Sequence, residues 1–507
     1  MIKRIYQIVC IVLFAGAITA CVQSTAKETE LHENLVNSES EFWFQRSISH
    51  VLLNRIVSKK TQVVWSTNFH TAAPVPIGAV GPEKYTKKLQ GIIQNDSIGR
   101  VLKEAVADNM NVILVIGDGM GNMHMALPVY KRYAEKNKKP TMFEQIMKEG
   151  TCGYVYTGTS RGLVTGSAAS GTAIACGQKT LMNMIGVDST GMMLESAMSL
   201  AKKKNYKTAL VTDAGITDAT PAAFYAHIFD RDLENRVAMQ LLLCDEVDVI
   251  FGGGASRFIP KGTKFSDFEQ YAGQFDFDSS RKDSLNLIEE FKKKSYQFCC
   301  STEQLEQLKK EKKVLGLFAE GGLPAPINRD SSTMNIPTVK EMGEKALELI
   351  SNNQSPYFAM IECARIDWEA HDNDIGAVYE AVEDMNRVLE SAYAYYKKDP
   401  EKTLLIFTSD HETGGLEIAY RKMPKEEAFR KKLANGDEWI NLTNPLSYKQ
   451  YLTNLNQQKK TVSKVLSGSH STQELKQNIH RLLGFKITDE EAELLLYSMT
   501  DYKKYKD

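Results

Sequence analysis

The sequence predicts an α/β protein with a doubly wound, mostly parallel central sheet, helices on both faces and a smaller inserted or carboxyl-terminal cap. Three observations carry this expectation: short apolar runs recur between residues 111 and 408, helix-like segments separate them, and carboxylates follow several of the runs. Near-continuous apolar strands with intervening helices belong to parallel sheets covered on both faces. The runs are 111–116, 207–212, 247–251, 314–318, 357–361 and 403–408. The helical patterns lie at 192–204, 232–245, 338–352 and 374–397. Residues 41–110 hold amphipathic stretches at 42–59 and 82–107 and read as an amino-terminal helical extension without a motif. The main domain spans 111–507, with 255–312 and 416–507 more polar and irregular, as insertions or a cap.

The 507 residues are 43% hydrophobic and 25% charged, which excludes a disordered or fibrous chain. Lys+Arg is 62 against Asp+Glu 63, a net charge of -1. That balance argues against nucleic acid as the main partner. A small anion remains a possible substrate, because metal ions can make one site cationic within a neutral protein.

Residues 1–20 read as a signal peptide: Lys3 and Arg4 precede an apolar run from Ile8 to Ile18 that is too short to span a bilayer. The run ends Ile18-Thr19-Ala20-Cys21, which resembles the bacterial lipobox, whose cysteine is acylated. An ordinary secretory signal is the alternative. The mature chain is therefore expected in the cell envelope, periplasmic or held to a membrane through a lipid on Cys21, with 21–40 as a tether. The six other cysteines after Cys21 form no C-x-x-C pair, so neither a zinc ribbon nor a disulfide scaffold is expected. Cys176 and Cys363 read as buried thiols.

Ligands of such sheets bind beyond the carboxyl ends of the strands. The first run ends in Gly117-Asp118-Gly119-Met120-Gly121. The second is followed by Asp213 and Asp218-Ala219-Thr220. The fifth leads into Glu362 and Arg365-Ile366-Asp367-Trp368-Glu369-Ala370-His371, and the sixth ends Ser409-Asp410-His411-Glu412. Carboxylates this dense repel one another unless a cation sits among them. Asp/His mixtures suit zinc, and Asp/Glu/Thr oxygens suit magnesium. Taken singly, each element has an ordinary alternative as a turn or a helix cap. Their arrival at successive strand ends is the signal.

Gly166-Ser167-Ala168-Ala169-Ser170-Gly171 reads as a tight turn entering a helix of small residues. Free N–H groups and the dipole at such an end favour an anion. Beside metal ions, Ser167 can ionise and attack phosphorus without a His–Asp relay. Arg231 is the candidate clamp for phosphoryl oxygens.

The motifs at 117–121, 165–173 (Thr-Gly-Ser-Ala-Ala-Ser-Gly-Thr-Ala), 218–224 (Asp-Ala-Thr-Pro-Ala-Ala-Phe), 251–254 (Phe-Gly-Gly-Gly), 365–371 and 409–415 (Ser-Asp-His-Glu-Thr-Gly-Gly) together resemble alkaline phosphatases, in the order the family has them. The resemblance implies a phosphomonoesterase with two zincs and one magnesium, working through two in-line displacements at a phosphoserine. It implies that Asp118 bridges the second zinc and the magnesium. Thr220 and Glu362 would complete the magnesium's protein ligands, with Asp218 holding its waters. Asp410 and His411 would bind the second zinc, Asp367 and His371 the first, and Arg231 the phosphate. Relatives are often dimers, so a homodimer is a further expectation.

Two departures stand out. Where many relatives have Asp before the nucleophile, this chain has Gly166, which predicts a freer Arg231 and weaker phosphate binding. The family also expects a third ligand of the first zinc in a Gly-His-Thr-like segment followed by a late strand. His470, in Ser467-Gly468-Ser469-His470-Ser471-Thr472, is the candidate, but a helix follows it, and Thr488 to Glu491 opens another as a capping box. The ligand is then His470, or it is absent. This leaves two rivals beside the phosphatase: a phosphodiesterase or sulfatase of the same superfamily, and a phosphate-binding homologue with impaired turnover.

Overall fold

The computed structural model describes residues 48–268, 276–310, 312–329, 334–351, 355–422, 425–444 and 447–504. The signal and lipobox reading of residues 1–21 lies outside them. Ten strands form the central sheet. In chain order they are β1 (Val75–Val80), β2 (Gly91–Gln94), β3 (Asn111–Gly117), β4 (Thr151–Tyr156), β5 (Lys207–Gly215), β6 (Val249–Gly253), β7 (Tyr296–Cys299), β8 (Lys313–Leu317), β9 (Tyr357–Cys363) and β10 (Thr403–Thr408). They lie side by side as β2-β4-β1-β10-β3-β9-β5-β6-β8-β7. Every pairing is parallel except those of β1, which runs antiparallel to both β10 and β4.

Strand periodicity explains the two-sided core. Val112, Leu114 and Ile116 of β3 join Phe358, Met360, Leu404 and Ile406 in one apolar cluster. Ile113, Val115, Ala359, Ile361, Leu405 and Phe407 feed the other. Helices 95–107, 167–176 and 234–244 pack into the first cluster, and 339–350 and 375–396 into the second. Local chemistry sets the ends of these helices. Thr338 and Glu341 form a capping box for Val339–Ile350, and Asp374 caps Ile375–Tyr396. Thr488 and Glu491 exchange the bonds expected of a capping box.

All six apolar runs are strands of the sheet. The boundaries of the outer regions differ from the sequence reading. Residues 41–110 are not only a helical extension: after the helix Ile48–Thr61 they supply β1, an interior strand, and β2, the sheet's edge. Pro74, Pro76 and Gly78 interrupt the apolar run and mask that strand's pattern in the sequence. Within 255–312, β7 forms the opposite edge of the main sheet rather than part of a separate insertion. The described cysteines are all free thiols, with Cys176 and Cys363 buried as expected. No helix among the described residues is long and apolar enough to cross a membrane.

The Phe251-Gly252-Gly253-Gly254 motif has a packing reason. A Cβ at Gly253 would lie 1.7 Å from the carbonyl oxygen of Gly321, and that oxygen accepts the Gly254 N–H at 2.6 Å. Both groups are backbone and cannot swing aside. Gly253→Ala is expected to cost about 3 kcal/mol by overpacking and to lower Tm by several degrees in a thermal melt. An unchanged Tm would show that the strand end can shift.

Candidate metal and phosphoryl-transfer site

The carboxyl ends of β3, β9, β5 and β10 meet at one rim. Asp118 follows β3, Glu362 is the penultimate residue of β9, and Asp367 and His371 stand on the helix Arg365–His371 that follows it. Thr220 belongs to the short helix Ala219–Ala222 after β5, which Asp218 caps through the Ala219 N–H at 2.6 Å. Asp410 and His411 follow β10 and are wholly buried. Ser167 opens the helix Ser167–Cys176 and is 6% exposed. Its Oγ lies 3.2 Å from His411 Nε2, so the serine and the rim are brought together.

One residue that the sequence reading missed belongs to the same rim. His70 precedes β1, and because β1 runs against its neighbours, its amino end lies at the carboxyl ends of the others. Glu412 and Thr413 pair with Thr71 and His70 in a short antiparallel ladder that fixes the segment. His70 Nε2 sits 3.1 Å from His371 Nε2 and 3.8 Å from Asp367 Oδ1, and His371 Nε2 sits 3.4 Å from Asp367 Oδ2. A His-Thr pair followed by a strand, the pattern expected late in the chain, occurs here early, as His70-Thr71 ahead of β1. The signal was legible as a His-Thr pair ahead of Val75-Pro76-Ile77-Gly78-Ala79-Val80, but it lies early in the chain. His470 is not the missing partner: it is exposed between the helices Val462–Ser467 and Thr472–Leu483, where its N–H donates to Glu474 at 2.9 Å.

Hydrogen bonding fixes which nitrogens can take a cation. His70 Nδ1 donates to the Thr165 carbonyl at 2.8 Å, and His371 Nδ1 donates to the Asn68 carbonyl at 2.5 Å. With each Nδ1 committed to a carbonyl, the two Nε2 atoms are left facing each other at 3.1 Å. Two ring nitrogens so placed can share one cation. The Thr413 hydroxyl donates to Asp367 at 2.5 Å, so its oxygen accepts from His411 Nδ1 at 3.2 Å. This turns the His411 Nε2 lone pair toward Asp410 Oδ2 at 3.2 Å and Asp118 Oδ1 at 3.5 Å. Both of those oxygens are buried and accept no hydrogen bond among the described residues.

Two sets of ligand atoms are close enough to share ions: His70, Asp367 and His371, and Asp118, Asp367 and His411, with Asp410 against His411. Without positive charge the cluster is electrostatically poor. Burial, and then repulsion from Asp410, Asp367 and Glu362, pushes the Asp118 carboxyl well above the usual range. Burial and Asp367 push Asp410 up to about 7. Glu362 is raised by burial against the opposing hydrogen bond from Thr212. Burial, then the stacked His70 ring 3.7 Å away, lowers His411 and keeps its lone pair available. The donor set thus fits cations on an observation of its own: orphaned carboxylate oxygens beside converging imidazole nitrogens. The Thr220 hydroxyl lies 3.1 Å from Asp118 Oδ2, the hard-oxygen side of the site.

Arg231 reaches this rim, but it is not free. Its guanidinium pairs with Asp218, and its backbone N–H donates to the Asn183 carbonyl at 3.0 Å. The anchor that Gly166 cannot provide is supplied by Asp218, on the opposite wall. Asp213, also a carboxylate after β5, has a structural role. It accepts the Ala364 N–H at 2.6 Å and so holds the turn that launches Asp367 and His371.

A buried array of carboxylates and histidines at the strand ends, facing a serine at a helix amino terminus, is the arrangement of a metal-dependent hydrolase built on an α/β sheet. The family model for alkaline phosphatase matches residues 109–486. The chain belongs to the alkaline phosphatase family. It is 34% identical to alkaline phosphatase 3 of Bacillus subtilis (strain 168) over 357 residues, 68% of this chain and 70% of that one. It is 35% identical to alkaline phosphatase 4 of the same organism over 324 residues, 62% of this chain and 64% of the relative. Among solved structures, the alkaline phosphatase of Thermus thermophilus superposes with a TM-score of 0.61 at 24% identity, covering 78% of this chain and 77% of that one, a likeness of fold. The cold-active enzyme of Shewanella sp. gives 0.57 at 25% identity over 78% of this chain and 89% of its own. His70 lies outside the matched segment.

Proposed function

We propose that this protein hydrolyses phosphate monoesters through a phosphoserine on Ser167, using two zinc ions and one magnesium. The first zinc would be held by His70, Asp367 and His371, and the second by Asp118, Asp410 and His411. The magnesium would take Asp118, Thr220 and Glu362, with Asp218 beside its waters. The observation that carries the reading is the convergence of His70 and His371, each with Nδ1 committed to a carbonyl and Nε2 aimed at the other. When bound, the ions supply Lewis-acid stabilisation of attacking and leaving oxygens. Ser167 Oγ, 3.2 Å from His411 Nε2, stands where it can attack phosphorus, with the helix dipole behind it. Arg231, held by Asp218, grips the equatorial oxygens. Thr413 and the carbonyls of Thr165 and Asn68 keep the imidazoles in the tautomers that leave Nε2 unprotonated.

The reading as a phosphate binder without turnover rested on a missing ligand, and His70 removes its motive. Release of p-nitrophenol from its phosphate ester should vanish on chelation and return with zinc and magnesium. Metal-loaded, folded protein that releases none would sink the proposal. A cell-envelope location with a lipid on Cys21 stays part of the same reading, supported by the lipobox-like Ile18-Thr19-Ala20-Cys21.

A further inference from the structure

The mouth of the site is framed by segments that hydrogen bonds tie together. His70 binds the Thr165 carbonyl, which ties the segment that carries Phe69 to the one that carries Leu163 and Val164. Arg231 binds the Asn183 carbonyl, and Ile185 bridges Ile228, which sets Met182 and Phe229 on neighbouring strands of chain. Met182 closes the ring of segments: its Sδ lies 3.3 Å from where a Cβ on Gly166 would be, and His70 Cε1 lies 3.6 Å from the same point. The glycine before the nucleophile therefore borders a thioether and an imidazole instead of a carboxylate.

Every one of these segments carries a large apolar side chain in solvent. Phe69 is 53% exposed, Leu163 84%, Val164 40%, Met182 48% and Phe229 61%. Single exposed apolar residues need no explanation, whereas a group of them rimming one pocket marks a binding surface. The phosphoryl group of a monoester must sit between Ser167 and Arg231. Its organic group must then leave past this rim, because the floor of the site is closed by buried strand ends.

We infer that the rim formed by Phe69, Leu163, Val164, Met182 and Phe229 is a subsite for the organic part of the substrate, and that it selects phosphate monoesters of apolar alcohols. This rests on the phosphomonoesterase reading. It turns Gly166 from a loss into a specificity feature: absence of a carboxylate there leaves room for Met182, a flexible and polarisable side chain suited to apolar groups of varied shape.

The test is a series of monoalkyl phosphates from ethyl to hexyl, with glycerol 2-phosphate as the polar reference. Their leaving alcohols are similar in basicity, so a trend reports binding of the chain. Full burial of one methylene is worth about fourfold. Partial burial across the four added methylenes should raise kcat/KM by about tenfold or more. Met182→Ser with Phe229→Ser should flatten that slope, and Met182→Leu should restore most of it. A flat series on an enzyme that turns over every ester overturns the inference and leaves the phosphomonoesterase reading standing. No turnover of any ester overturns that reading, and this inference with it. If the serine substitutions instead convert a dimer to monomers in sedimentation, the rim is an interface between copies and the inference is overturned.

Discussion

His70→Ala is expected to lower kcat/KM for phosphate monoesters by about a thousandfold, the loss of roughly 4 kcal/mol of transition-state stabilisation. Elemental analysis of the purified variant should find about one zinc equivalent fewer, because two ligands, Asp367 and His371, remain where three were. His470→Ala should match the unaltered protein in both measurements, since that side chain lies on the surface between two helices. His70 also holds Thr165 through Nδ1, so a purely structural effect must be separated. His70→Asn can keep a side-chain donor to that carbonyl while offering a poor metal ligand. A stable, inactive, zinc-depleted Asn variant is the expected result. Full activity in either His70 variant would show that the third ligand comes from elsewhere.

Ser167→Ala is the second large effect. Removing the proposed nucleophile should cost about a thousandfold or more in kcat while leaving metal content intact. What activity remains would come from a water attacking phosphate still held by Arg231. Acid quenching of the unaltered enzyme during turnover of a labelled ester should trap the label on the peptide that contains Ser167. Undiminished activity in the variant, or no trapped label under conditions where the intermediate accumulates, would exclude the phosphoserine route.

How legible the molecule was in its sequence depended on whether a signal was local. The interior strands β3, β5, β6, β8, β9 and β10 could be read directly because burial on both faces demands an unbroken apolar run. β1 is equally buried, yet two of its residues are Pro76 and Gly78, which dilute the pattern. A Cβ at Gly78 would come within 2.4 Å of the Phe407 ring, so the break in the run is a packing requirement of the next strand. β7 and β2 are short edge strands with weak alternation, and nothing in their composition separates them from loop.

The site divides in the same way. Asp118, Glu362, Asp367, His371, Asp410 and His411 each follow an apolar run closely enough for the sequence to place them at one rim. His70 could not be placed so, because its partners are about three hundred residues away in the chain: the bonds of its ring and its neighbour reach His371 and Glu412 across separations of 301 and 341. Asp218 as the partner of Arg231 was equally hidden, since the sequence offers no reason to prefer it over Asp230 or Asp232. The amino-acid sequence by itself determined the fold class, the strands that carry the chemistry and the residue types delivered to their ends, because hydrophobic periodicity and strand-end carboxylates are properties of short stretches. Only the tertiary structure decided that an antiparallel strand from the amino-terminal side enters the middle of the sheet. Strand direction and sheet order are set by long-range packing, and they bring His70 to His371 and Asp367.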